Sequence, residues 1–154
     1  MIKSAEELVF SRAAAARILG ITVEQIKRVE VWVYVVLVVP HAGHGLRPRF
    51  VSKQAFKVHF AEFRRQSALG LLVTSQRGHE FRVLNPKNNN QYKVRFTDKA
   101  CTCECEDYKN QVKFLGRGCC KHAYRVLFHL GFKSLAEYVS SRAAQRLRIL
   151  LNSG

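Results

Sequence analysis

Acidic residues are scarce in this chain of 154 residues. It has 11 Asp and Glu against 26 Lys and Arg, and its formal net charge at pH 7 is +15. Both halves of the sequence are basic. A charge this large and this evenly spread indicates an anionic partner, with nucleic acid as the first candidate. The alternative interpretation is a protein whose basic residues serve only its solubility.

Long apolar runs are absent as well. The strongest one, Val31 to Val39, covers nine residues and ends at Pro40. A helix that crosses a bilayer needs about 20 apolar residues, so we expect no membrane partner. The β-branched composition of this run predicts a buried strand instead.

A secretory signal is also missing from the first residues, which include Glu6 and Glu7 and have no apolar stretch. The chain has five cysteines, an odd number. In a reducing compartment cysteines are more often metal ligands than disulfide partners. We therefore expect a cytoplasmic protein, associated with the nucleoid or the nucleus if it binds DNA.

Recognisable catalytic patterns are absent too. The sequence has no paired carboxylates, no nucleophile beside a base and no phosphate-binding loop. An enzyme that acts through any of these arrangements is therefore not expected. We predict a binding protein rather than a catalyst.

Helix signals dominate the first thirty residues. Ser4 and Ser11 are candidate N-caps for an alanine-rich helical stretch that ends at Gly20, a favourable C-terminal cap. The segment from Thr22 has the spacing of a capping box, which predicts a second, short helix to about Glu30.

Further along the chain, strand and helix patterns alternate. Strands are predicted after the first apolar run at 47–51, 71–75, 80–84 and 91–97. Helices are predicted at 52–67, 120–130 and 134–151. Helices and short antiparallel strands in this order predict an α+β fold.

Four residues in the second half have the spacing of a metal site. Cys103 and Cys105 form a C-x-C pair, and after fourteen intervening residues Cys120 and His122 form a C-x-H pair. Three thiolates and one imidazole make a closed tetrahedral zinc site, which leaves no open position for a substrate or a reactive water. The spacing therefore predicts a structural Zn²⁺ ion that joins the end of a β-hairpin to the start of a helix.

This segment resembles a SWIM-type zinc finger, whose pattern is C-x-C, a spacer and C-x-H, with paired strands before it. The resemblance covers about residues 71–130, and an acidic-aromatic pair, Asp107 and Tyr108, follows the second cysteine as is usual in that family. The position of these two residues favours the C-x-C pair formed by Cys103 and Cys105 over the alternative pair formed by Cys101 and Cys103. Cys119 is one residue too far from His122 for the C-x-H pattern, although Cys101 or Cys119 remains a substitute ligand.

The segment 13–29 is similar to excisionase-like and MerR-like helix-turn-helix domains, since an alanine-rich helix, Gly20 and a short helix follow one another. This resemblance implies that a second helix contacts a DNA major groove and that a strand pair forms a wing. The alternative is a scaffold with an apolar interaction surface. The resulting domains are a helix-turn-helix-like module at 1–69, a SWIM-type zinc finger at 70–131 and a C-terminal helix at 132–154.

The functional prediction is a zinc-stabilised nucleic-acid-binding protein of accessory or regulatory type, with DNA as the preferred ligand. The alternative is an adaptor in a larger recombination, replication or mobile-element assembly, as the occurrence of SWIM modules implies. Candidate contacts in the first half are Thr22, Gln25, Lys27, Arg28, Arg47 and Arg49. Candidate contacts in the second half are the basic residues Arg82, Lys93, Arg95, Lys109, Lys113, Arg117, Lys121 and Arg125.

Overall fold

Helices and antiparallel strands share the chain, so the predicted α+β class is confirmed. The computed structural model describes residues 1–154, which divide into two units at 1–63 and 64–154. Six α-helices and seven strands form these units, and the helix at Lys53–Ala68 contains the boundary. None of the helices has the length and the apolar composition that a membrane crossing requires.

The first unit contains a three-stranded antiparallel sheet in the order β1-β2-β3. Small alanines of the second helix and Phe56 of the third pack on one face of this sheet, where Val36 and Val38 are buried. The side chains Ala14, Ala15 and Ala16 allow a close approach of helix to sheet. The elements are α1 (Ala5–Val9), α2 (Arg12–Leu19), β1 (Ile26–Val31), β2 (Val35–Pro40), β3 (Arg49–Ser52) and α3 (Lys53–Ala68).

The helix predicted from Thr22 to Glu30 is wrong. Only one 3-10 turn forms, at Val23–Gln25, and the chain continues directly into β1. The capping box does close this turn, because the Thr22 amide donates to the Gln25 side chain at 2.9 Å. A helix-turn-helix would need its second helix here, so this segment cannot present a helical face to DNA.

The single strand predicted for residues 31–39 is also wrong, because a hairpin turn divides the run. β1 ends at Val31 and β2 begins at Val35, and the Trp32 amide donates to the Val35 carbonyl at 2.9 Å. Val33 and Tyr34 therefore form the turn and are exposed. The predicted edge strand after residue 47 is present as β3.

The second unit contains a four-stranded antiparallel sheet in the order β4-β5-β6-β7. Phe81, Val83, Val94 and Phe96 point from one face of it into a core shared with α5. One helix of this unit, α4, was not predicted from the sequence. The elements are β4 (Leu72–Arg77), β5 (Glu80–Asn85), β6 (Asn90–Phe96), β7 (Cys101–Cys103), α4 (Glu106–Leu115), α5 (Lys121–His129) and α6 (Leu135–Asn152).

Candidate metal centre

The structure brings the four predicted ligands together. Cys103 ends β7, Cys105 is the N-cap of α4, Cys120 is the N-cap of α5, and His122 lies in the first turn of α5. All four side chains are buried, and their donor atoms lie within 4.8 Å of one another. These residues form a cluster that could hold a metal ion.

The histidine offers one defined ring nitrogen to the cluster. His122 Nδ1 lies 3.9 Å from Cys103 Sγ and 3.8 Å from Cys120 Sγ. The other nitrogen, Nε2, is buried without a hydrogen-bond partner, and the Tyr92 ring packs 4.6 Å from the imidazole centre. A cation bound at Nδ1 would leave the ring proton on Nε2.

The three thiols of the cluster influence each other's ionisation. Hydrogen bonds from the Cys103 and Cys120 thiols hold the pKa of Cys105 well below its usual range. The hydrogen bond that Cys103 donates to Cys105 raises the pKa of Cys103 to about 12. Hydrogen bonds to Cys103 and Cys105, together with burial, raise the pKa of Cys120. A divalent cation bound to the three sulfurs would stabilise the thiolate form of each of them.

The thiols of the two remaining cysteines, Cys101 and Cys119, are free and share a hydrogen bond. A hydrogen bond from the Cys119 thiol lowers the pKa of Cys101, and the same bond raises the pKa of Cys119. Cys101 Sγ also lies 3.4 Å from the Gly118 carbonyl oxygen. Neither thiol belongs to the group whose donor atoms converge, which is formed by Cys103, Cys105, Cys120 and His122.

A chain of polar contacts supports the C-x-H pair, and the sequence analysis missed it. Arg64 Nε donates to the Asp107 carboxylate at 2.9 Å, and Gln111 Nε2 donates to the same carboxylate at 3.0 Å. The buried Gln111 amide also accepts from the Cys119 backbone N–H at 2.9 Å and donates to the Cys119 carbonyl oxygen at 3.4 Å. Gln111 thus fixes the backbone of the residue before Cys120. The sequence signal for it was the i, i+4 spacing of Asp107 and Gln111.

We expect Gln111→Ala to weaken metal binding without removing any ligand. The substitution leaves the Cys119 amide without its partner, and loss of an outer contact typically lowers metal affinity by roughly 10- to 100-fold. Competition with a chromogenic zinc chelator measures this change. Lys113→Ala, an exposed substitution in the same helix, is the matched control and should leave the affinity unchanged. Equal affinities for the two variants would contradict the role assigned to Gln111.

Close packing surrounds the same backbone segment. A Cβ atom added to Gly118 would lie 3.0 Å from both Gln111 Cβ and Tyr108 Cδ2. Such distances are tighter than most real Cβ contacts, so a larger residue would require α4 or the segment that leads to Cys120 to shift by a few tenths of an ångström. Tyr108 is fixed in addition by its hydroxyl, which donates to the Cys101 carbonyl at 2.9 Å.

Three of the predicted nucleic-acid contacts lie on the open face of the four-stranded sheet. Arg82 stands opposite Lys93, and Arg95 stands opposite Glu80, whose carboxylate contacts Arg95 at 3.0 Å and Lys93 at 3.7 Å. The hydrogen bond from Arg95 lowers the pKa of Glu80. Arg77, which the sequence analysis did not select, is exposed and shares this face because it pairs with Glu80. The face therefore carries four cations and one carboxylate.

The other predicted contacts of the second unit do not share that face. Lys121 and Arg125 are half-buried on α5, which packs on the opposite face of the sheet. Lys109 and Lys113 are exposed on α4, where Lys109 contacts Glu106 at 3.2 Å, and Arg117 is exposed in the following loop. The sheet thus separates the basic residues into two groups.

The predicted contacts of the first unit lie on strands and loops. Thr22 and Gln25 close the 3-10 turn, and Lys27 and Arg28 are exposed on β1. Arg47 is exposed in the loop before β3, and Arg49 is exposed at the start of β3.

Comparisons with family models, with curated proteins and with solved structures found no match to this chain. The assignment of a function therefore depends on the geometry of the chain itself.

Proposed function

We propose that the cluster is a structural zinc site of the SWIM type and that the protein binds nucleic acid, with DNA as the preferred form. The zinc part is supported by the donor set, since three thiolates and one imidazole suit Zn²⁺ better than the oxygen-seeking cations Mg²⁺ and Ca²⁺. With four protein ligands the ion would have no open position. Its contribution would be to the folding of residues around it rather than to a reaction.

The spacing of the donors also supports zinc. Zn–S bonds of about 2.3 Å and Zn–N bonds of about 2.0 Å in a tetrahedron place a sulfur and a nitrogen about 3.6 Å apart. The distances from His122 Nδ1 to the sulfurs of Cys103 and Cys120 are 3.9 and 3.8 Å. These two distances exceed the tetrahedral value by a few tenths of an ångström, and the donor atoms of the whole group lie within 4.8 Å of one another, so the four side chains would draw closer around a bound ion.

The open face of the four-stranded sheet carries the nucleic-acid part of the proposal. Arg77, Arg82, Lys93 and Arg95 share this face, whereas Glu80 is its single carboxylate. The backbones of neighbouring strands lie about 5 Å apart, so long cationic side chains on adjacent strands can contact successive phosphates. Binding would release counterions from the nucleic acid, so its affinity would depend steeply on salt. The zinc ion would hold the sheet and α5 in place behind this face.

Replacing Arg82, Lys93 and Arg95 together with alanine should weaken the binding of a labelled 20-base-pair DNA by roughly 10- to 100-fold near 0.1 M salt. If all three contact phosphates, the slope of log affinity against log salt should fall by about three. Fluorescence anisotropy over a series of salt concentrations measures both quantities. The zinc content should remain one ion per chain, because none of the three residues is a ligand.

A charge-matched control separates local contacts from overall charge. Lys57 is exposed on α3 and Lys87 and Lys99 are exposed in turns, so none of them is a residue of the strands that form this face. Their triple alanine variant loses the same three charges. It should retain most of the affinity. An equal loss in both triple variants would show that the sheet face is not a specific contact surface, and no binding by the wild type would reject the proposed function.

An adaptor role is the second candidate, and one observation favours it. Four large apolar residues are exposed near the end of α6, namely Leu147, Ile149, Leu150 and Leu151. Exposed apolar clusters of this kind often mark protein contacts. Affinity for a protein assembly that survives high salt, together with absent DNA binding, would favour this candidate over the first.

A further inference from the structure

The hairpin that joins β1 to β2 exposes large side chains that a folded protein usually buries. The exposed fractions are 48% for Trp32, 77% for Val33, 85% for Tyr34 and 59% for the nearby Phe50. Single exposed apolar residues are common, but a group of three aromatic side chains on one part of the surface is informative. The turn itself contains Val33 and Tyr34 instead of the Gly or Asn that two-residue hairpin turns favour.

These aromatic residues border the open face of the three-stranded sheet. β2 pairs with β3 so that Leu37 stands opposite Phe50, whereas the neighbouring residues Val36 and Val51 face the buried side against the helices. The Trp32 and Phe50 rings meet edge to face with their centres 5.2 Å apart. We call the residues Trp32, Leu37 and Phe50 the aromatic face.

The orientation of the tryptophan is fixed by charged neighbours. Trp32 Nε1 donates to Glu30 Oε2 at 3.2 Å, and Arg28 Nε donates to Glu30 Oε1 at 2.6 Å. The hydrogen bond from Arg28, followed by the one from Trp32, lowers the pKa of Glu30. The carboxylate accepts from both side chains and so favours one orientation of the indole ring. A preformed ring position reduces the entropy lost when a ligand stacks on it.

Charge around the aromatic face indicates what could cover it. Arg28 stands opposite Val39 on the same side of the sheet as Leu37, and Arg47 and Lys27 are further exposed cations of this unit. Arg49 alternates with Phe50 on β3 and belongs to the other side, opposite the buried Val38. Glu30, the acidic residue on this face, is already paired with Arg28. A second copy of a chain with a net charge of +15 would bring like charges together. A partner with flat apolar rings and a negative backbone fits better, and unpaired nucleic acid has both, since its bases are free to stack on side chains.

We propose that the aromatic face binds single-stranded nucleic acid by stacking bases on Trp32 and Phe50. Arg28 on this face and Arg47 in the loop before β3 would contact the phosphates beside the stacked bases. The inference rests on the proposed function, because it specifies the form of nucleic acid and adds a contact surface in residues 1–63. A duplex would not occupy this face, since its bases already stack on each other.

The sequence supplies a direct probe, because Trp32 is the single tryptophan of the chain. Adding a twelve-base oligothymidine to the full-length protein should quench the Trp32 emission, as stacking brings a base onto the indole. The double variant Trp32→Ala with Phe50→Ala should lose roughly 10- to 100-fold in affinity for this oligomer, measured by anisotropy of a labelled strand, since stacking on two rings is removed. Its affinity for a duplex should remain that of the wild type.

Val58→Ala is the matched control, because Val58 is equally exposed but lies on α3. It should bind the oligomer as the wild type does, and circular dichroism should show all variants folded. Oligomer binding without quenching of Trp32, and with the double variant unaffected, would overturn the inference while leaving the proposed function in place. Absence of binding to any nucleic acid would overturn both. A Trp32 emission that depends on protein concentration, with no quenching by the oligomer, would indicate a second copy on this face instead.

Discussion

Replacing Cys120 with serine should abolish stoichiometric metal binding and unfold much of residues 71–130. The side chain is fully buried at the start of α5, and its sulfur lies 3.8 Å from His122 Nδ1. Structural zinc in small modules contributes on the order of 10 kcal/mol or more of apparent binding free energy at neutral pH. This loss exceeds the total stability of many domains. Elemental analysis of protein purified without added zinc, together with far-UV circular dichroism, measures both effects.

The adjacent cysteine provides a demanding control. Cys119→Ser changes the same atom one residue earlier, in a thiol that pairs with Cys101 outside the ligand group. This variant should keep one zinc per chain and the wild-type spectrum. Should the wild type contain less than about a tenth of an equivalent of zinc while folded, the assignment of a structural zinc site would be wrong. A folded, zinc-loaded Cys120→Ser variant would show that another residue replaces this ligand.

Phe96→Ala should lower the free energy of unfolding of the zinc-loaded protein by about 3–5 kcal/mol. Phe96 is almost completely buried, and its ring makes edge-to-face contacts with Tyr138 of α6 at 5.0 Å and Phe81 at 6.2 Å. The truncation would remove apolar contacts and leave a cavity between the sheet and α6. Urea denaturation followed by circular dichroism gives the change.

Phe96→Leu tests whether volume or ring geometry matters at this position. Leucine fills most of the space but cannot make the edge-to-face contacts. It should therefore lower the free energy of unfolding measurably, but clearly less than alanine does. A loss below about 1 kcal/mol for Phe96→Ala would contradict the core assigned to the second unit.

The metal cluster could be predicted because its chemistry demands particular residue types at short spacings. Three thiolates and an imidazole at C-x-C and C-x-H positions have few other common uses in a reducing compartment. The strands before the cluster could also be predicted from the sequence. Apolar residues (Phe81, Val83, Val94 and Phe96) alternate there with basic ones, which is the period of a half-buried sheet. Local signals and tertiary packing agree in this part of the chain.

The segment after Gly20 could not be predicted because two periodicities coincide there. Val23, Ile26 and Val29 recur every three residues, as on a helix face. In the structure the register between β1 and β2 shifts between Ile26 and Arg28, so an irregular strand buries Ile26 and turns Val29 to the same side. A bulge of this kind changes the two-residue period locally. Pairing with β2 decides between helix and strand, and this tertiary contact cannot be read from the residues of the segment itself.

Helix α4 was missed for a different reason. Its N-cap is Cys105, whose sulfur accepts from the Tyr108 amide at 3.4 Å. Cysteine is not among the residues that usually cap helices, so its interpretation as a metal ligand hid its second role. Glu106 and Asp107 in the first turn and Gly116 at the end were the ordinary signals of a helix.

The tight packing at Gly118 has a consequence for the recognition of distant relatives. A side chain at this position would crowd Gln111 and Tyr108, so the presence of this glycine and the course of the helix between the ligand pairs should be correlated among related chains. A signature written G-x-C-x-H, for Gly118, Cys120 and His122, should therefore select chains with this arrangement more strictly than C-x-H does. Chains with the four ligands but a larger residue at that position should differ in the length or course of the intervening helix.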